Sequence, residues 1–168
     1  MTPEALIAEL RGTQEYFNRS TRTLTEADSA FAPAEGMWTV AQQIGHVAHT
    51  VDWFIEGAFR PEGFDTDWPK ILEEISRVKS VDEARAWVDA AFARAIDFIG
   101  ARTPEELAQP LPPGDIMGGA PRFAVISALV DHTAHHRGAL TVYARLLGRI
   151  PPMPYMDEPA EVPAEVTA

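Results

Sequence analysis

Four long stretches of the sequence place apolar residues at the three- and four-residue spacing of an α-helix, and no stretch alternates at the period of a β-strand. The first stretch carries Leu6, Leu10 and Phe17 along one side. The others are expected over residues 39–59, 80–100 and 121–147. Because amphipathic helices of this length must bury their apolar faces against one another, the pattern predicts an all-α fold built as a four-helix bundle.

Residues that favour helix ends mark these boundaries. Thr39 with Gln42, and Ser80 with Glu83, have the spacing of a capping box, in which two side chains bond free backbone groups of the first turn. Gly148 is a suitable residue to end the fourth helix. A short extra helix is predicted over residues 68–78, between the second and third long helices. A helical turn and then a loop rich in proline and glycine are predicted over residues 103–120.

The chain of 168 residues fits one domain and a short tail. We expect the bundle to occupy residues 1–150, because the prolines that follow prevent the last helix from continuing. Residues 151–168 are rich in proline and acidic side chains. Their first part is expected to pack in an extended form, and roughly the last ten residues are expected to be disordered.

The overall charge argues against several classes of partner. With 14 basic and 25 acidic residues the formal net charge is -11, which makes nucleic acids and anionic membranes unsuitable partners. No segment reaches the roughly 18 apolar residues of a membrane span, and the N-terminus lacks the pattern of a signal peptide, so a cytoplasmic location is expected. The absence of cysteine excludes disulfides, cysteine-ligated zinc and a cysteine nucleophile.

The five histidines occur in two short groups. His46 and His49 lie in the second predicted helix, and His132, His135 and His136 lie in the fourth. On a helical projection His132 and His136 fall within the apolar stripe, one turn apart. His46 falls at the edge of the apolar face of its helix, whereas His49 and His135 fall further out. Three of the five histidines are therefore predicted to point toward the interior of the bundle.

Three inward imidazoles can bind a metal ion. A pair one turn apart can share an ion, and a third from a facing helix completes a three-nitrogen set with an open coordination position, as in catalytic sites. Imidazole suits zinc, nickel, iron and copper. The alternative is a structural bundle in which these histidines are packing residues, hydrogen-bonded to Gln43, Thr50 or Tyr143. The residues alone leave both interpretations open.

Two segments resemble the signature segments of the DinB-like family of metalloenzymes: MWTVAQQIGHVAHTVDWF, residues 37–54, and DHTAHHRGALTVYARLLG, residues 131–148. The first has a tryptophan followed eight residues later by a histidine, and the second has the sequence His-x-x-His-His-Arg-Gly. With the helical pattern, the resemblance covers residues 1–150. It implies a four-helix bundle, often dimeric, that holds nickel or zinc with His46, His132 and His136. Arg137 and Gly138 match the family's Arg-Gly pair.

The resemblance also implies a choice of reactions. Members of the wider superfamily transfer low-molecular-weight thiols or isomerise a substrate through a thiol adduct. This predicts a metal-dependent transferase that acts on a small molecule together with a small thiol. The alternatives are a metal-dependent hydrolase and a non-catalytic metal- or ligand-binding module. Hydrolysis requires a base, and Asp52 and Asp131 both point away from the ligand directions on the helical projections.

Further side chains are expected around such a site, as contacts of the ligands or as the lining of a pocket. These are Gln43, Thr50, Trp53, His135, Arg137 and Tyr143. Trp38 is expected to close the end of the bundle by packing across the start of the second helix, and the alternative is that it lines the site. Residues 60–80 match no segment of the family, and no function is predicted for them.

Overall fold

Helices and their connections make up the described part of the chain. The computed structural model describes residues 1–156, and these contain no β-strand. The helices are α1 (Pro3–Thr21), α2 (Val40–Phe59), α3 (Trp68–Ser76), α4 (Val81–Gly100), α5 (Pro104–Ala108) and α6 (Ala124–Leu146), with a 3-10 helix at Glu26–Asp28. Within these residues no helix has the length and apolar character that crossing a membrane requires.

The four long helices, α1, α2, α4 and α6, form the predicted bundle. α2 packs against α4 and α6, and α1 packs against the same two helices from the other side. Their apolar faces meet in one core, in which Phe17, Ile44, Phe92 and Leu129 are completely buried. The short helix α3 lies against α2, in the interval where the sequence predicts an extra helix. The four-helix bundle with this short insertion is confirmed.

The start of α4 differs from the predicted capping box. Ser80 Oγ accepts a hydrogen bond from the backbone N–H of Glu83, as expected. The helix start instead receives Glu26 of the 3-10 helix, whose carboxylate accepts hydrogen bonds from Ser80 Oγ and from the backbone N–H of Asp82. The prediction for Glu83 was wrong because a carboxylate from another element occupies the helix start. At α2 the predicted box of Thr39 and Gln42 is complete.

The fourth long helix starts at Ala124, three residues after the predicted start at residue 121. The reason is a backbone pairing with the segment that follows α5. The N–H groups of Arg122 and Phe123 donate to the carbonyl oxygens of Gln109 and Leu107. These bonds hold the residues before Ala124 in a turn and fix the N-terminal end of α6. Gly148 has a φ of +75°, which suits a glycine that ends a helix.

The segment after α6 packs on the bundle. Arg149 forms an ion pair with the buried Asp28, with Nη2 at 2.9 Å from Oδ1. Pro151 and Pro152 are buried, and the ring of Tyr155 lies against the ring of Tyr16 with centroids 5.2 Å apart. A domain boundary at residue 150 stays a prediction. The disorder predicted for roughly the last ten residues falls mainly on residues 157–168, outside the described part of the chain.

Candidate metal centre

Three histidine side chains converge where α2 faces α6. His46 comes from α2, and His132 and His136 come from successive turns of α6. Nε2 of His132 lies 3.1 Å from Nε2 of His46 and 3.2 Å from Nε2 of His136. One nitrogen from each ring lies within 4.8 Å of the others. The structure therefore brings together the three residues that the helical projections selected, with one nitrogen of each directed at a common point.

The spacing of these nitrogens fits a shared metal ion. An imidazole nitrogen binds zinc at about 2.0–2.1 Å, so two ligands at angles of about 90–109° lie about 2.8–3.4 Å apart. The two measured separations of 3.1 and 3.2 Å fall in this interval. Each ring belongs to a helix that is fixed by the core, so the arrangement is built into the fold. The donor set could hold a divalent ion with three neutral nitrogens.

The outer nitrogen of His136 is held by a chain of hydrogen bonds. Nδ1 of His136 lies 2.6 Å from the side-chain oxygen of Gln43. The amide nitrogen of Gln43 donates to the hydroxyl of Tyr143, and that hydroxyl donates to the backbone oxygen of Trp38. Because an amide oxygen only accepts, His136 must carry its proton on Nδ1. The lone pair of Nε2 is then free to face the other two histidines.

Burial keeps the three histidines neutral. Desolvation, followed by the nearby histidines, lowers the pKa of His46 to about 3 and that of His136 to about 3. Desolvation, followed by His135, lowers the pKa of His132 to about 4. A neutral imidazole is the form that binds metals. At neutral pH the three nitrogens are therefore in the protonation state that a metal requires.

Trp38 packs on the histidines, which agrees with the alternative role considered for it, the lining of the site. Its ring lies 4.6 Å from the ring of His46, centroid to centroid, and stacks at 6.2 Å over the ring of His136. The residue stands directly before Thr39, the N-cap of α2, so its backbone position is fixed by the helix start. Trp38 covers one side of the cluster and limits access of water from that side.

A cavity of about 280 Å³ opens on another side of the cluster. His46 and His132 form part of its wall, and α2 also contributes Thr50 and the aromatic rings of Trp53 and Phe54. The remaining wall residues are His49 of α2 and two residues of α3, Trp68 and Ile71. Two of the three candidate ligands are thus in contact with a space that can admit a small molecule. The segment without a predicted function, residues 60–80, supplies the outer wall.

His49 is the titratable side chain of this cavity besides the candidate ligands. Its Nε2 lies 3.7 Å from Oε2 of Glu74, a residue of α3, and its ring meets the edge of Trp87. Burial lowers the pKa of His49, against the opposing effect of Glu74. The sequence placed this residue outside the inward set, and it is not a member of the three-histidine cluster. The cavity places it beside that cluster.

The two aspartates considered as bases are elsewhere, as the projections indicated. Asp52 accepts hydrogen bonds from Arg94 and from Trp87 and does not line the cavity at the histidines. Asp131 lines a different groove, between α1 and α6. Neither carboxylate is in a position to accept a proton at the cluster.

Most of the residues expected around the site are near it. Gln43, Tyr143 and Thr50 are buried, the first two in the chain of hydrogen bonds and the third in the cavity wall with Trp53. His135 is exposed, and its ring meets the ring of His136 at 4.9 Å. Arg137 is the exception.

The expectation that Arg137 belongs to the pocket is corrected by its position. It lines the groove between α1 and α6 with Asp131 and not the cavity at the histidines. The physical reason is its place on α6, one residue after His136. One residue turns the side-chain direction by about 100°, away from the facing helix α2.

Comparison with known proteins identifies the family. A profile of the DinB superfamily matches residues 9–140, which include both histidine groups and most of the bundle. The chain belongs to the DinB superfamily. A search of curated protein sequences finds no significant match. The resemblance of the two histidine segments to the DinB-like family is confirmed by this match.

Solved structures of DinB-like proteins share the fold. YfiT from Bacillus subtilis, described as a probable metal-dependent hydrolase with an unusual four-helix bundle topology, superposes with a TM-score of 0.68 at 16% identity, over 88% of each chain. A DinB-like protein from Bacillus cereus gives 0.66 at 22% identity, over 89% of this chain and 95% of the other. YjoA, a DinB-like protein from Bacillus subtilis, gives 0.63 at 14% identity, over 86% and 93%. At these identities the comparison shows the fold.

Proposed function

We propose that the chain binds one divalent metal ion through His46, His132 and His136, and that the ion takes part in a reaction of a small molecule. The observation that carries this proposal is the approach of three Nε2 atoms to a common point beside a cavity. The membership of the DinB superfamily and the printed description of YfiT as a probable metal-dependent hydrolase support it. Nickel and zinc are the ions we propose, because both suit imidazole ligands.

The donor set favours a reactive site over a purely structural one. Three neutral nitrogens leave the charge of a divalent ion uncompensated, and structural zinc sites use four protein ligands. A divalent ion held here supplies Lewis acidity and lowers the pKa of a water or thiol that binds to it. The part played by the chain is to orient His136 through Gln43 and Tyr143 and to exclude water on one side with Trp38.

Hydrolysis of a small molecule is the reaction that the geometry supports best. This reaction needs a group that accepts a proton from the attacking water. His49 meets this need because burial lowers its pKa and so favours the neutral imidazole at neutral pH, and because it lines the same cavity as His46 and His132. Asp52 and Asp131 do not, because they lie outside this cavity.

Thiol transfer is the second candidate reaction. It is favoured by the uncompensated charge of the proposed ion, which stabilises a thiolate, and by a cavity that can admit a second small molecule beside His46 and His132. Since the chain has no cysteine, the thiol must arrive as a cosubstrate. In this reaction His49 accepts the proton of the thiol. A non-catalytic metal-binding module would bind the ion without turnover.

Substitution with cobalt distinguishes these possibilities. Chelator-treated protein is loaded with Co²⁺, whose visible absorption reports the number and type of its ligands. We expect absorption bands in the parent chain and their loss in the His46→Gln variant. Addition of 2-mercaptoethanol should produce a new sulfur-to-cobalt charge-transfer band if the open position accepts thiols, which supports the transferase. A spectrum that responds to pH but not to the thiol supports the hydrolase, and no bands in the parent would reject the metal site.

We propose a small molecule as the substrate and a homodimer as the assembly. The net charge of -11 opposes contact with nucleic acids and with anionic membrane surfaces. We propose that the protein acts in the cytoplasm. Size-exclusion chromatography with light scattering tests the dimer, which should give a mass near twice the 18.5 kDa of the chain.

A further inference from the structure

The cavity beside the histidines has an aromatic wall that no metal site requires. Trp53 and Phe54 of α2 and Trp68 of α3 stand along it, with Ile71 as the aliphatic neighbour. The rings of Trp53 and Trp68 lie 6.0 Å apart at an angle of 47°, and Trp53 also packs on Phe54 at 5.1 Å. Three aromatic rings around one small cavity form a surface on which a planar ligand can stack.

Two features of this wall point to a ligand. Trp68 is 51% exposed although it is a large apolar side chain at the first position of a helix. Its partner Trp53 is held in place, since its indole N–H donates to the backbone oxygen of Asp65 at 2.7 Å and its ring packs against Phe64 at 4.7 Å. One fixed ring and one partly exposed ring at the edge of a cavity form a preorganised binding surface.

We propose that this cavity binds small molecules with a planar aromatic group, which stacks on Trp53 and Trp68 while the reactive end of the molecule meets His46 and His132. The proposal rests on the proposed function for the role of the histidines and adds the class of substrate to it. The segment from residue 60 to residue 80, for which the sequence predicted no function, is then the part of the chain that selects the substrate.

The size of the cavity limits the ligand to one or two rings. Pockets for drug-sized ligands have volumes of roughly 300–1,000 Å³. The cavity at the histidines has about 280 Å³, just below that range. A second cavity of about 180 Å³ adjoins it and shares His49, Trp53 and Ile71 as wall residues. Substituents of the aromatic group can extend into this second space.

The charge of the second cavity selects against anions. Its wall contains four carboxylates, Asp52, Glu56, Asp65 and Glu74, and two cations, Arg60 and Lys70. Lys70 is paired with Asp65, and Arg60 is paired with Glu62, so neither cation is left without a carboxylate. An anionic ligand would meet a net negative wall. The part of the aromatic substrate that extends into the second cavity is therefore neutral or cationic.

Three related probes test the proposal by titration calorimetry. 2-Naphthol is planar and neutral, decahydro-2-naphthol has the same carbon skeleton without aromatic rings, and 2-naphthoate is planar and anionic. Each is titrated into parent protein, Trp68→Ala and Leu72→Ala, with and without added zinc. Leu72 is the matched control because it lies on the same helix, is 53% exposed and does not line the cavity. Circular dichroism confirms that the variants are folded.

We expect 2-naphthoate to bind the parent less tightly than 2-naphthol, because the anion meets the negative wall of the second cavity. We expect 2-naphthol to bind the parent about two- to thirteenfold more tightly than decahydro-2-naphthol, as stacking contributions of about 0.5–1.5 kcal/mol predict. The Trp68→Ala variant should lose this preference, and Leu72→Ala should keep it. Equal affinities for planar and saturated probes, or no binding of any probe, would overturn the proposal. So would identical behaviour of the two variants.

The outcome is separate from that of the metal site. Trp68 is not a candidate ligand, so its replacement should leave zinc binding unchanged. Selective binding of 2-naphthol to a parent that takes up neither zinc, nickel nor iron would reject the proposed function and keep this inference. Zinc uptake without selectivity for the aromatic probe would keep the proposed function and reject this inference.

Discussion

The side-chain oxygen of Gln43 lies 2.6 Å from Nδ1 of His136, and Gln43 stands one turn of α2 before His46. One helix therefore supplies both a candidate ligand and the group that orients another ligand on the facing helix. Tyr143 completes the arrangement from α6, since its hydroxyl accepts a hydrogen bond from the Gln43 amide. The position of the candidate metal site is thus tied to the packing of α2 against α6.

Replacing Gln43 by leucine is expected to weaken metal binding by about 10- to 100-fold, the usual effect of removing a group that orients a ligating histidine. Leucine keeps the volume of the side chain and removes the acceptor for the Nδ1 proton of His136. Competition with a chromophoric chelator measures the affinity of each variant for zinc.

Gln43→Glu is the matched control for this prediction. A carboxylate also accepts a hydrogen bond from Nδ1. The glutamate variant should therefore bind zinc near the parent level and more tightly than the leucine variant. If leucine and glutamate reduce the affinity equally, the hydrogen bond from His136 does not contribute and the change reflects packing alone.

The ion pair of Asp28 and Arg149 is expected to stabilise the chain after α6. Asp28 is buried and its charge is held by Arg149 and by the backbone N–H of Thr25. Asp28→Asn should lower the free energy of unfolding by about 1.5–3 kcal/mol, the range for hydrogen bonds to charged groups. Urea unfolding of the parent, the two single variants Asp28→Asn and Arg149→Met, and the double variant gives the coupling energy of the pair. A coupling energy near zero would mean that the pair does not stabilise the fold.

The same pair predicts a dependence of stability on pH. The hydrogen bond from Arg149 lowers the pKa of Asp28 below its ordinary value of 3.8. The folded chain thus holds the carboxylate charged at a pH where the unfolded chain takes up a proton. The contribution is complete above the unfolded pKa and is lost as the pH falls through the lower folded value. The difference in unfolding free energy between parent and Asp28→Asn should be constant near pH 7 and shrink below about pH 4. A difference that stays constant into strong acid would contradict this assignment.

Two glycines in long helices are expected to respond in opposite ways to alanine. A Cβ at Gly57 would lie 2.2 Å from the ring of Phe64, which packs beside Trp53, whereas a Cβ at Gly12 would meet nothing within 4 Å. Gly57→Ala should destabilise the fold by about 1–3 kcal/mol through overpacking. Gly12→Ala should stabilise it by up to about 1 kcal/mol, because alanine favours a helix.

Thermal unfolding of both glycine variants measures these effects. Gly57→Ala should also weaken 2-naphthol binding, since a displaced Phe64 no longer supports the wall at Trp53. Stability changes of the same sign in the two variants would show that the contact with Phe64 does not prevent a larger side chain at residue 57.

Periodicity predicted the bundle because burying an apolar face is a local property of each helix. The positions of Leu6, Leu10 and Phe17 in α1 record the core directly, and all three are buried. The start of α4 was only half predicted. Its second capping group, Glu26, comes from a 3-10 helix 54 residues earlier in the chain, and a local pattern carries no record of such a contact.

In the candidate site, too, features local to one helix were predicted and contacts between separate elements were not. His46, His132 and His136 were selected from the faces of single helices, and the structure brings them together because α2 and α6 are neighbours in the bundle. For Trp38 closure of the helix start was preferred over a place at the site, but its ring reaches the histidines from the start of α2. The role of His49 depended on α3, since the cavity that it lines exists only where this short helix packs against α2.

The central claim is that three histidines hold one divalent ion. Elemental analysis of untagged protein purified without chelator tests it most directly, beside His136→Ala and the control His135→Ala, which removes an exposed neighbouring histidine. We expect about one zinc or nickel ion per chain in the parent and in His135→Ala, and little in His136→Ala. A parent without metal that also fails to take up zinc, nickel or iron would contradict the claim, as would equal metal content in all three proteins.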